Sequence, residues 1–203
     1  DGCQHAVFEI LSNSIDEARE GHGNLITLTR YADKSIEVED FGRGCPVDWN
    51  ANEKRFNWEL VFCELYAGGK YSNNEGENYE YSLGLNGLGS CATQYASEYM
   101  DVTVWRDGKK YELHFKKGKV VGKKGQELTI SPADRKKTGT TIKWRPDLEV
   151  FTDIDIPEEF FKDVLHRQAV VNAGITFRFR NQNGNKFEVT DYVYENGILD
   201  YVH

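Results

Sequence analysis

A carboxylate, a carboxamide and a second carboxylate recur at steps of four in Glu9-Ile-Leu-Ser-Asn13-Ser-Ile-Asp16-Glu17. On a helix that spacing sets Glu9, Asn13 and Glu17 along one face. Val7, Phe8, Ile10, Leu11 and Ile15 flank them, so the stripe reads either as the solvated side of an amphipathic helix or as a polar face turned into a pocket. The pocket reading has definite chemistry. A carboxylate can activate water as a base, and a carboxamide one turn later can offer oxygen to a magnesium ion whose other ligands are phosphates and waters.

Three glycine-bearing motifs lie downstream. In Asp40-Phe41-Gly42-Arg43-Gly44-Cys45-Pro46 an acid closes a strand and two spaced glycines follow, which lets a flat ligand approach the backbone. A buried carboxylate there would accept from an exocyclic amine such as that of adenine and discriminate against bases lacking it, although an ordinary turn has the same pattern. Ala67-Gly68-Gly69-Lys70 brings one ammonium on a flexible segment, suited to an anion, but is weak by itself. Gly84-Leu85-Asn86-Gly87-Leu88-Gly89 precedes a helical pattern, so its amides and the helix N-terminus could cradle phosphate. It is neither the dinucleotide fingerprint nor the GxxxxGK[ST] loop, and alone it could equally be structural.

The elements that must carry these motifs follow from periodicity and turn chemistry. A first helix is expected from about Cys3 to Glu20, capped by glycine. A hairpin follows, Asn24 to Tyr31 and Ser35 to Asp40, then a helix over Phe56 to Tyr66 and a long polar segment to Tyr81. A helix to about Ala96 leads into strands Tyr99 to Arg106 and Lys109 to Phe115, joined by Asp107-Gly108. Further strands are expected at Gln126 to Ile130 and Thr138 to Trp144, a helix from Pro157 to Val171, and a last hairpin turning at Asn183-Gly184. Helices on one face of a mixed, mostly antiparallel sheet is the architecture this order predicts.

Composition narrows the partners. With 203 residues, 39% of them hydrophobic, one sizeable domain is the expectation. A formal charge of -8 argues against the chain as a whole gripping nucleic acid, and the cluster Lys116, Lys117, Lys119, Lys123 and Lys124 reads as a solvated hairpin edge. Four cysteines without a CxxC pair suggest neither zinc nor a disulfide framework and fit a reducing cytoplasm. No run approaches a membrane span, and the start at Asp1-Gly2 without Met is read as a piece of a longer chain.

Taken in order, FEILSNSIDEA, EDFGRGCP, LYAGGKY, GLNGLG and KKTGTTIKWRPDLEVF resemble the ATPase domain of the B-type subunit of bacterial type IIA DNA topoisomerases, whether gyrase or topoisomerase IV, in the GHKL group of ATPases. The resemblance spans essentially the whole chain. It implies an α+β Bergerat fold, a two-layer sandwich in a single domain over 1–203, with the family's N-terminal arm and transducer domain absent. It implies ATP and Mg2+ as cofactors, with Glu9 as the base on the attacking water and Asn13 as the side-chain metal ligand. Asp40 takes the adenine amine with Thr140 beside it through water, Gly44 and Pro46 shape the base pocket under Arg43, and Glu17 pairs with Arg43. Tyr79 lies against adenine, while Lys70 and the segment Gly84, Leu85, Asn86, Gly87, Leu88 and Gly89 hold phosphates.

The implied activity is ATP-driven dimer clamping coupled to DNA strand passage, supercoiling or decatenation, in the cytoplasm. The topoisomerase A subunit and DNA are the implied partners of the full-length enzyme, which dimerises on ATP binding. The chain alone is expected to be monomeric and weakly active. Other GHKL members, of mismatch-repair, chaperone or histidine-kinase type, lack AGGK and the TGT strand. A nucleotide-gated interaction module without turnover is a further alternative, against which Glu9 speaks. Asn86 replaces a common His, Leu83 replaces a glycine, and Glu112 stands where relatives carry an arginine that contacts aminocoumarins, which speaks against tight aminocoumarin binding.

Overall fold

The computed structural model describes residues 2–64 and 90–196. Among these, strands β1 (Leu25–Arg30), β2 (Ile36–Asp40), β5 (Ser97–Arg106), β6 (Lys109–Lys116), β7 (Lys119–Val120), β8 (Thr129–Pro132), β9 (Gly139–Pro146), β10 (Thr176–Asn183) and β11 (Lys186–Tyr192) form a nine-stranded sheet. Its order is β11-β10-β1-β2-β9-β5-β6-β7, with β8 also on β6. The pair β1 and β10 runs parallel and the other pairs run antiparallel. A small separate hairpin joins β3 (Trp49–Asn50) to β4 (Arg55–Phe56).

Strand alternation sends every second side chain to the same face, and the register aligns these into apolar rows. Phe179, Leu28, Val38, Ile142, Val102 and Leu113 are neighbours across six strands, and all are buried. The residues between them are Thr29, Glu37, Glu39, Thr141, Lys143 and Glu112, which line the opposite, polar face. Helices cover the apolar face. α1 (Gly2–Arg19) buries Val7, Ile10, Leu11 and Ile15, and α4 (Glu158–Val171) buries Phe161 and Leu165 in the same cluster. Phe161 stacks on Phe179 with ring centroids 5.8 Å apart, and from α2 (Asn57–Phe62) Phe62 meets Phe115 at 5.7 Å. Each such ring removed from water stabilises by about 1.5–3 kcal/mol. The described part of α3 covers residues 90–95.

The expected two-layer α+β arrangement is therefore the one found. α1 ends as its glycines predicted, with Gly21 at φ +90° and its N–H donating to Ala18 O. Asp107 and Gly108 both take positive φ, the turn that matches strand twist. Three expectations shift. The β3–β4 hairpin precedes α2, because two-residue strands leave no alternation to read. The strand expected at Gln126 to Ile130 pairs over Thr129–Pro132, where Glu112 and Lys109 of β6 set the register. Asn183 pairs with Lys186, which moves the last turn to Gly184-Asn185. No described helix is long and apolar enough to cross a membrane.

Candidate functional site

Asp40 occupies a position that strand alternation assigns to an apolar residue. It follows Ile36 and Val38 on the helix-covered face at the end of β2, and it is 8% exposed. Ser14 of α1 donates its hydroxyl to Asp40 Oδ2 at 2.6 Å, while the N–H groups of Gly42 and Thr140 donate to Oδ1 at 3.0 and 3.2 Å. An ionised carboxylate offers about four lone-pair sites. Among the described residues these three bonds leave one, on Oδ2. Burial pushes the Asp40 carboxyl above the ordinary range, against the hydrogen bonds from Ser14, Gly42 and Thr140 that favour the charged form.

Glycines let the backbone pack closely around this acid. A Cβ on Gly139 would collide with the carbonyl oxygen of Asp40, and Gly139 takes φ +145°, so only glycine lets β9 come this close to β2. Thr140 then donates its N–H to Asp40, and its hydroxyl accepts the Cys45 N–H at 2.8 Å. Gly44, at φ +91°, has Trp105 O 2.7 Å from where its Cβ would stand, and its own carbonyl accepts from Arg106 Nη1 at 2.8 Å. Pro46 leads from this loop into buried Val47. Burial pushes the Cys45 thiol up to about 12, which makes it a neutral wall.

The polar stripe of α1 faces the same corner. Glu17 receives the N–H and Nε of Arg43 on Oε2 at 2.9 and 3.1 Å and its Nη2 on Oε1 at 2.6 Å, so the expected pairing is present as a two-oxygen clamp. Burial pushes the Glu17 carboxyl up, but the Arg43 hydrogen bonds outweigh it and hold it below the ordinary range. Gly42 fits beneath, with the Glu17 side chain 2.9 Å from where a Cβ would stand. One turn back, Asn13 Nδ2 donates to Ser90 Oγ at 2.9 Å. Glu9 is partly buried with His5 Nε2 3.2 Å from Oε1.

Glu9, Asn13, Glu17, Asp40, Arg43, Gly44, Pro46 and Thr140 are thus carried by α1, the end of β2, the β2–β3 connection and the start of β9. Lys70, Tyr79 and the segment Gly84, Leu85, Asn86, Gly87, Leu88 and Gly89 lie outside the described residues. Sequence reasoning missed Ser14, Ser90, Arg106 and Glu20, the last of which accepts from Arg43 Nη2 at 2.8 Å. A signal for Ser14 existed. It falls on the apolar phase of α1 with Ile10, Leu11 and Ile15, as Asp40 does on β2, and two polar residues in apolar slots are natural partners.

The sequence and the fold have known counterparts. Residues 1–150 match the family of histidine kinase-, DNA gyrase B- and HSP90-like ATPases. The B subunit of DNA gyrase from Thermotoga maritima is 36% identical over 202 residues, 99% of this chain and 30% of that protein. The B subunit of DNA topoisomerase 4 from Salmonella typhimurium is 35% identical over 199 residues, 98% of this chain and 30% of the relative. The chain therefore spans about 30% of the length of these relatives. Among solved structures, the topoisomerase IV ATP-binding domain of Francisella tularensis with a small-molecule inhibitor has a TM-score of 0.80 at 31% identity, over 98% of this chain and 51% of that one. The 43K ATPase domain of Thermus thermophilus gyrase B with an aminocoumarin has a TM-score of 0.79 at 28% identity, over 97% and 47%. The matched region contains the buried acid at the end of β2, the glycines beside it and the polar stripe of α1, and the chain belongs to the histidine kinase-, DNA gyrase B- and HSP90-like ATPase family.

Proposed function

We propose that the chain is the ATP-binding and hydrolysing domain of the B-type subunit of a type IIA DNA topoisomerase. The observation that carries this is the single lone pair that the described residues leave on Asp40 Oδ2, in a buried strand end that glycines let the backbone enclose closely. A ligand reaching it must present one N–H donor on a thin edge, as the adenine amine does. A base with a carbonyl at that place would set two acceptors against each other and leave the acid unpaired. Gly44 and Pro46 wall the base, and Arg43, clamped by Glu17, closes the pocket mouth.

The phosphates then extend along α1 toward Asn13 and Glu9, with Lys70 and the amides of Leu85 to Gly89 as their further partners and Tyr79 against the base. Asn13 offers one neutral oxygen. A cation held by one protein oxygen takes its other ligands from phosphate and water, which suits Mg2+, and when bound it neutralises phosphate charge. Glu9 is the base that orients and deprotonates the attacking water. Its Oε1 is held by His5, which leaves Oε2 for that proton. In the whole protein, nucleotide binding drives dimer closure and DNA strand passage with an A subunit, in the cytoplasm, while this domain alone is monomeric.

Phosphate release at saturating ATP by the full-length protein, wild-type and Glu9→Gln, tests the reading. Loss of about a hundredfold or more in turnover, with binding of a non-hydrolysable ATP analogue retained, is the expected result. Unchanged hydrolysis would remove Glu9 from the mechanism, and absence of hydrolysis in the wild type would favour the nucleotide-gated module.

A further inference from the structure

Ser90 is 1% exposed, opens the described part of α3, and accepts Asn13 Nδ2 at 2.9 Å across 77 residues of chain. The two ends of a carboxamide are alike in size and opposite in chemistry, since one end donates two hydrogen bonds and only the other can ligate a cation. We infer that Ser90 is the positioning residue for the metal ligand, supplying the acceptor that the Asn13 NH2 group needs once the Asn13 oxygen is committed to magnesium. The inference rests on the proposed function above.

The selectivity of the effect follows from the chemistry of the amide. Without a cation, the Asn13 side chain can turn either end toward solvent or toward the serine hydroxyl, which both donates and accepts. With the cation bound, the oxygen end is fixed and the NH2 end points at the α1–α3 contact. There a missing acceptor leaves a donor unsatisfied. Ser90 therefore stabilises the metal-bound state over the metal-free one.

Calorimetric titration of a non-hydrolysable ATP analogue, with and without magnesium, tests this on wild-type, Ser90→Ala, Asn13→Asp and the double variant. The quantity read is the factor by which magnesium improves affinity. Ser90→Ala is expected to leave metal-free affinity unchanged and to lower that factor about tenfold, as loss of a ligand's outer partner does. In the Asn13→Asp background both ends of the side chain are oxygen, so Ser90→Ala is expected to leave the factor unchanged. Ser90→Cys, which keeps the volume but is a weak acceptor, is expected to behave as Ser90→Ala does. A wild-type factor in Ser90→Ala, or an equal loss in both backgrounds, overturns the inference. A wild-type protein that binds the analogue without any magnesium effect overturns instead the assignment of Asn13 as metal ligand.

Discussion

The two ends of the β1–β2 hairpin each hold an ionic group, a buried acid at one and a half-buried arginine at the other, and they treat it in opposite ways. At the open end Asp40 takes three hydrogen bonds from the described residues, which leave one acceptor site unused. At the turn end Arg30 places Nε on Ile156 O at 3.0 Å, Nη1 on Asn181 Oδ1 at 3.1 Å and Nη2 on Asp155 Oδ1 at 3.4 Å. A cavity of about 130 Å³ opens beside Arg30, Lys34 and Asp155, and its cations already face an anion. A recess is therefore not a site by its shape. Recognition needs a buried polar group with capacity left over, and the Asp40 end meets that condition where the Arg30 end does not.

Substitutions at each end separate the two. Gly139→Ala has the largest expected effect on the fold, because a Cβ there meets the Asp40 carbonyl in a positive-φ conformation. Denaturant unfolding is expected to show a loss of about 3 kcal/mol, together with loss of ATP-analogue binding. Arg30→Met is expected to lower stability by about 2 kcal/mol, since it leaves the buried Asn181 and Ile156 O without a donor, while binding stays at the wild-type value. A binding defect in Arg30→Met would erase the distinction between the ends.

Glu17→Gln comes next, at about 1 kcal/mol, because Arg43 is about a third exposed and solvent screens the pair. The folded-state carboxyl of Glu17 lies below its unfolded value, so its contribution is present above the ordinary carboxylate range and lost as pH falls through the lowered value. Acid unfolding of Glu17→Gln is expected to lack that component. The smallest effect has the opposite sign. The Asp40 carboxyl is raised by burial, so its ionisation costs stability, a cost that builds as pH rises past the unfolded value and is complete above the raised one. Asp40→Asn is expected to melt about 2 °C higher than wild type at neutral pH, and the gap is expected to close as the pH is lowered. An Asp40→Asn variant that melts lower at all pH values would contradict the account of Asp40 as a strained acceptor.

The parts of this site legible in the sequence were those with local signatures. Asp40 stood out because an acid preceded two spaced glycines, and the stripe of α1 because three polar residues kept a four-residue step. Glu17 and Arg43 could be paired from charge alone. Thr140 was marked only by resemblance, since nothing local tells that Gly139 lets β9 approach the Asp40 carbonyl. Arg106 and Ser90 were invisible for the same reason. Their partners, Gly44 O and Asn13, lie 62 and 77 residues away, and no periodicity encodes a contact that the sheet order creates. The fold was more legible than the site, because its hairpins carry turn residues and its core rows follow alternation. The misses were the two-residue strands of β3–β4, the short strand β8 found at Thr129–Pro132 and the one-residue offset at Gly184, where the signal is shorter than the period that reads it.

Titration of wild-type and Asp40→Asn protein with ATP and with inosine triphosphate, which lacks the exocyclic amine, tests the central claim most directly. The account predicts that wild type prefers ATP by about a hundredfold or more and that Asp40→Asn loses both the affinity and the preference. Equal wild-type affinity for the two nucleotides, or a preference that survives in Asp40→Asn, would contradict it.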